Sequence, residues 1–148
     1  MAAYNKFNVF VEDLTNKIYD LFGTASADLV KVMLVNSPAP VATNSVKADL
    51  TEIAAGNGYT AGGEDTQNDG TRTTGTFTLT GTKVVWTAAG GTIGPFRYVI
   101  LYDDTPAAPL DPLIAWWDYT SNLTLQIGET FTVKFNNGDP TGTIFTLA

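Results

Sequence analysis

The chain has 148 residues, about one domain's worth, with 44% hydrophobic and 16% charged side chains, a composition that specifies a folded core rather than disorder. Fifteen acids against eight bases leave a formal charge of -7, which opposes nucleic acid and anionic membrane as partners because phosphate binding draws on Lys and Arg. Cysteine and histidine are both absent, which excludes disulfides, Cys nucleophiles, Ser-His and Cys-His dyads, iron–sulfur clusters and His/Cys zinc sites, and leaves only carboxylate, Lys or Tyr chemistry.

Near the N-terminus, Phe7, Phe10, Val11, Leu14, Ile18 and Leu21 recur at spacings of three and four, which predicts a short helix over residues 4–14 with Glu12 and Asp13 on its solvent face. Lys6, Glu12, Asp13, Lys17 and Asp20 interrupt this region, so no secretory signal is expected. No apolar stretch approaches the roughly 18 residues that span a bilayer. Residues 30–35 (VKVMLV) are apolar on both sides of a two-residue period except at Lys31, the pattern of a central strand buried on both faces. A proline-bearing connection over residues 37–40 leads to a second apolar patch at 46–53.

From 54 to 74 the sequence turns to Gly, Asn, Asp, Thr and Ala, with Tyr59 as its single large apolar side chain. This reads as one long polar loop, and loops of that length are usually functional or partly disordered. Strand signals then become regular: residues 76–80 alternate, 83–86 resume after Gly81-Thr82, and 96–102 form a run of aromatic and branched side chains. Residues 103–112 hold three prolines and read as a loop. Residues 113–119 form another strand. In the last alternation Phe131, Val133 and Phe135 point inward while Thr130, Thr132 and Lys134 point outward, and after a turn at Asn137-Gly138 residues 143–147 return antiparallel.

About seven strands, frequent turn residues and no second helix predict a mainly β chain. The expected architecture is one antiparallel β-sandwich over residues 1–148, jelly-roll or immunoglobulin-like, with a short N-terminal helix; a closed barrel is the alternative.

Few constellations offer chemistry. Asp103 and Asp104 are adjacent at a strand end and so point to opposite faces, which denies them the facing geometry of a carboxylate pair; the expectation is a solvated loop. Asp65, Gln67, Asp69 and Gly70 occupy positions one, three, five and six of an EF-hand-type calcium loop, but Thr76 stands where the bidentate Glu is required. An irregular calcium site is the rival to a mobile polar loop there. The glycines lack phosphate-loop spacing, and residues 90–95 precede a strand rather than a helix. Asn122-Leu123-Thr124 matches the glycosylation triplet, which is common by chance. No cofactor or metal is expected. Trp116 and Trp117 are consecutive on a strand and must face opposite sides, so one enters the core and the other faces an edge, a second layer or a partner.

Six segments together resemble a family of small virion proteins encoded by tailed bacteriophages: residues 5–14 (NKFNVFVEDL), 29–34 (LVKVML), 57–63 (NGYTAGG), 93–98 (IGPFRY), 112–119 (PLIAWWDY) and 128–131 (GETF). The resemblance runs nearly end to end. It implies a virion structural protein on the capsid exterior, made in the bacterial host cytoplasm: a decoration or cement protein that binds the major capsid protein, self-associates as a homo-oligomer such as a trimer, and carries no catalytic residues. The expected interface residues are Tyr59, with its loop and the N-terminal segment ordering on assembly, then Phe96, Trp116, Trp117 and Tyr119. A neck, tail or fibre-attachment position is the alternative within a virion. A carbohydrate-binding module is the alternative from another class.

Overall fold

The computed structural model describes residues 2–23 and 27–148. Its elements are β1 (Asn5–Lys6), α1 (Asn8–Thr15), β2 (Val30–Val35), β3 (Glu64–Asp65), β4 (Asp69–Thr73), β5 (Thr76–Thr82), β6 (Val84–Thr87), β7 (Ile93–Asp103), β8 (Leu113–Leu125), β9 (Thr130–Val133) and β10 (Thr141–Leu147), with short 3-10 turns at Lys47–Asp49 and Phe135–Asn137. All strand pairings are antiparallel. The fold is the antiparallel β-sandwich with a short N-terminal helix that the patterning predicts.

The first layer has the order β1-β8-β7-β2-β3. Its central strands explain the sequence reading of 30–35, because β2 is buried on both faces and only Lys31 escapes, to pair with Asp104 at 2.7 Å. Val32, Leu34, Val99, Leu101 and Ala115 face the main core, while Met33, Val35, Ile100, Tyr102 and Leu113 face a second cluster on the far side of the sheet. Phe7, Leu50 and Trp116 cover that second cluster.

The second layer contains the β10-β5-β4 and β6-β9 sheets. β5 and β6 follow one another with Lys83 alone between them. Their partners are also in line: β10 pairs from Thr141 opposite Thr82 to Leu147 opposite Phe77, and β9 from Val133 opposite Val84 to Thr130 opposite Thr87. The Lys83 N–H donates to the Pro140 carbonyl at 2.7 Å, so both partners lie along one side of a long bent strand, with residues 134–140 looping out between them. Leu79, Val84, Trp86, Phe135 and Ile144 from this layer close the main core against the first.

Several expectations change. The helix begins at Asn8 rather than residue 4, because Phe7 is extended (φ -71°, ψ 146°) and its ring belongs to the second cluster, while Phe10 enters the main core. Asp13 is buried rather than solvent-facing and accepts from the Tyr19 hydroxyl at 3.4 Å. Residues 143–147 do not return onto 131–135; they pair with β5, whose exposed side offers the longer ladder. Residues 103–112 are not wholly a solvated loop, since Asp103 is fully buried at the end of β7.

The largest correction concerns residues 54–74, which are built into the sandwich. They supply β3 and all of β4. Thr66 donates from its backbone N–H to the Val30 carbonyl at 3.0 Å and from its hydroxyl at 2.8 Å, and Asn68 accepts the Val30 N–H at 3.0 Å. The glycines here serve close approach rather than mobility: at Gly63 (φ +70°) an added Cβ would stand 1.9 Å from the Val32 carbonyl oxygen.

Candidate functional site

Tyr59 and Phe96 do not present a surface. Tyr59 is 3% exposed, and its hydroxyl accepts the Leu34 N–H at 3.0 Å and donates to Glu52 at 2.7 Å. Burial pushes the pKa of this phenol up, so it stays a neutral donor. The same Glu52 carboxylate accepts the Gly62 N–H at 2.7 Å, which fastens the segment beside β2. Phe96 is wholly enclosed, with its ring edge-on to Phe131 at 4.9 Å. Both side chains are core: Phe96 because β7 lies between covered faces, Tyr59 because its segment folds beside β2 and its ring packs on Trp86.

Trp116 and Trp117 do diverge to opposite faces of β8. Trp116 packs on Phe7 at 4.5 Å in the second cluster, and Trp117 lies against the main core. Each is half-buried. Tyr119, two residues on, is 50% exposed.

Trp117 and Tyr119 belong to a groove of about 870 Å³ on the open side of the sandwich. Tyr4 joins them on the first-layer rim, and Phe131, Val133 and Phe145 line the other. The rings are packed against one another rather than laid flat: Trp117 meets Tyr4 at 5.6 Å and 72° and Phe135 at 6.0 Å and 55°, and Tyr119 meets Phe131 at 5.7 Å and 77°. Polar lining comes from Thr130, Thr132, Thr143, Thr146, Asn136, Asn137 and Lys134, with no acid among the described residues. Lys134 is held at 2.5 Å and Lys83 at 2.6 Å from Asp139, whose carboxyl they keep down at about 2. Sequence reasoning found Trp117 and Tyr119 but missed Phe131 and Phe145. The signal was their placement on strands whose outward neighbours are Thr, and it was absorbed by the inward reading of Phe131.

The acids do not form a comparable site. Asp103 accepts the Thr105 N–H at 3.0 Å through Oδ1, while its buried Oδ2 has no partner. Burial, with Asp28 nearby, pushes its carboxyl up to about 8, although Thr105 opposes this. Asp65, placed in the calcium-loop register, accepts the Gln67 N–H at 2.7 Å instead, and among the described residues no three acids converge as a metal cage. No described helix is long and apolar enough to cross a membrane.

Comparison with protein-family models, with curated proteins and with solved structures finds no match for this chain.

Proposed function

We propose that this protein is a structural component of a tailed-bacteriophage virion, a decoration protein that binds the outer face of the capsid shell. The observation that carries the reading is the groove beside Trp117 and Tyr119, an aromatic and Thr/Asn-lined recess of about 870 Å³ opening at the edges of both layers. Aromatic enrichment with depletion of acids is the composition of a protein-binding patch. The six segments resembling phage virion proteins supply the biological setting, and a rigid acidic sandwich suits a protein that must stay soluble until it docks.

The test is the copy number of this protein against the major capsid protein in purified particles, by quantitative mass spectrometry. One copy per one or few shell subunits is the expected result. A dozen or fewer copies per particle moves the protein to the neck, tail or fibre attachment, and its absence from particles overturns the virion reading. The tryptophan and amides of the groove favour one rival, carbohydrate binding. Trp117 already meets Tyr4 edge-on at 5.6 Å and Phe135 at 6.0 Å, and tryptophan fluorescence is expected to stay unchanged across a broad glycan panel.

A further inference from the structure

Two backbone edges border the groove. β9 pairs only with β6 and β10 only with β5, and across from them β8 runs for 13 residues although β1 covers it only at Ala115 and Trp116. Pairing along this edge of β8 therefore stops where the groove begins. The chain ahead of Asn5 adds no rung: among the described residues, none of the backbone–backbone hydrogen bonds involves Ala2, Ala3 or Tyr4. Asn5 accounts for the stop. The next rung of its register would set Ala3 opposite Asp118, but the Asn5 side-chain amide donates to the Ala3 carbonyl at 3.0 Å and reaches the Trp116 carbonyl at 3.4 Å. A side chain thus takes an acceptor that the ladder would use.

What holds the arm against the groove is chiefly one ring. Ala2 and Tyr4 belong to the groove lining, and Tyr4 meets Trp117 edge-on at 5.6 Å and 72° while remaining 37% exposed. An aromatic pair of this kind shifts an equilibrium by about two- to tenfold. From Asn5 onward the chain is fixed: Lys6 pairs with Ala115, the Phe7 N–H donates to the Ile114 carbonyl at 3.2 Å, and the Phe7 ring is wholly buried. The boundary between firmly and weakly held chain falls between Tyr4 and Asn5.

We infer that residues 2–4 form a displaceable strap, which covers the Trp117 side of the groove in the free protein and swings out about Asn5 when the capsid shell docks. The inference rests on the reading of the groove as the shell-binding face, and it makes the arm the regulator of that face. A closed state favoured by a given factor weakens the apparent affinity by the same factor, so the strap lowers affinity for the shell by about two- to tenfold. In return it shields an aromatic recess from indiscriminate association before the shell is met.

The experiment compares the full chain, a variant lacking residues 2–4, Tyr4→Ala and Tyr4→Phe. Asn5, Lys6 and Phe7 stay in all four, and circular dichroism checks that each folds. Acrylamide quenching of tryptophan fluorescence reads the groove in the free protein, and co-sedimentation with purified phage particles lacking this protein reads docking. The shortened chain and Tyr4→Ala are expected to show stronger quenching and about two- to tenfold tighter particle binding; Tyr4→Phe, which returns the ring, should restore the closed behaviour in both readouts. Quenching that does not rise in the shortened chain overturns the inference, because Trp117 was then not covered. Stronger quenching with unchanged or weaker particle binding also overturns it, by making the arm a bystander or a part of the contact, and leaves the decoration reading intact. If none of the four chains binds particles, the decoration reading and the strap that depends on it fall together.

Discussion

Asp103 is the residue through which pH is expected to act on the fold. Its carboxyl is pushed up to about 8 in the folded chain, mainly by burial and further by Asp28, against an ordinary value of 3.8. The folded state therefore holds a proton that the unfolded state releases. The stability Asp103 contributes is whole below about 4 and is lost as pH rises through about 8. Tyr19 and Asp28 are the titratable groups that face it. Urea midpoints measured at pH 5 and pH 9 are expected to fall for the native chain, and Asp103→Asn should flatten that fall. Asp139 has the opposite sign: held at about 2 by Lys134 and Lys83, it contributes above its ordinary range and loses that contribution as pH drops through about 2. Tyr59 is a second residue with a defined cost. Tyr59→Phe leaves the buried Leu34 N–H without an acceptor, and urea unfolding should report a loss of about 1–3 kcal/mol.

Among the elements, the Gly-rich stretch before β5 is where composition misleads most. Its polarity reads as one long polar loop, yet Tyr59, Thr66 and Asn68 are buried in it and β4 pairs along β5 from Asp69 to Thr73. Removing residues 54–74 is accordingly expected to abolish cooperative unfolding altogether, measured by near-ultraviolet circular dichroism; a folded deletion variant would show that the segment is an addition to the sandwich. Gly63→Ala is the finer probe. It places a Cβ against the β2 backbone at a positive φ, and the expected destabilisation is about 3 kcal/mol. Elsewhere local pattern was a sound guide. The alternation of Phe131 and Val133 with Thr130 and Thr132 reproduces the half-buried face of β9, and the unbroken apolar run of 30–35 marks the doubly covered β2. The helix start moved because Phe7 is claimed by the second cluster, a contact that helical spacing does not encode.

For the whole molecule, the mainly β class, the single helix and the divergence of Trp116 from Trp117 follow from periodicity in the sequence. Side-chain alternation is a property of neighbouring residues, so a strand declares its two faces before its partners are known. The same sequence also supplies the acidic charge and the lack of Cys and His that narrow the available chemistry. Which strands pair is a different kind of fact. β10 chooses β5 over the adjacent β9, and residues 54–74 choose the interior, because each choice is made by the area and hydrogen bonds gained against chain far away in sequence. The groove is the plainest case: it exists only where Ala2, Tyr4, Val99, Trp117, Tyr119 and residues 130–137 and 143–146 meet at the edges of two layers. Two of its aromatics were legible from strand alternation, but its open edges arise from how many neighbours each strand finds, and tertiary packing alone decides that.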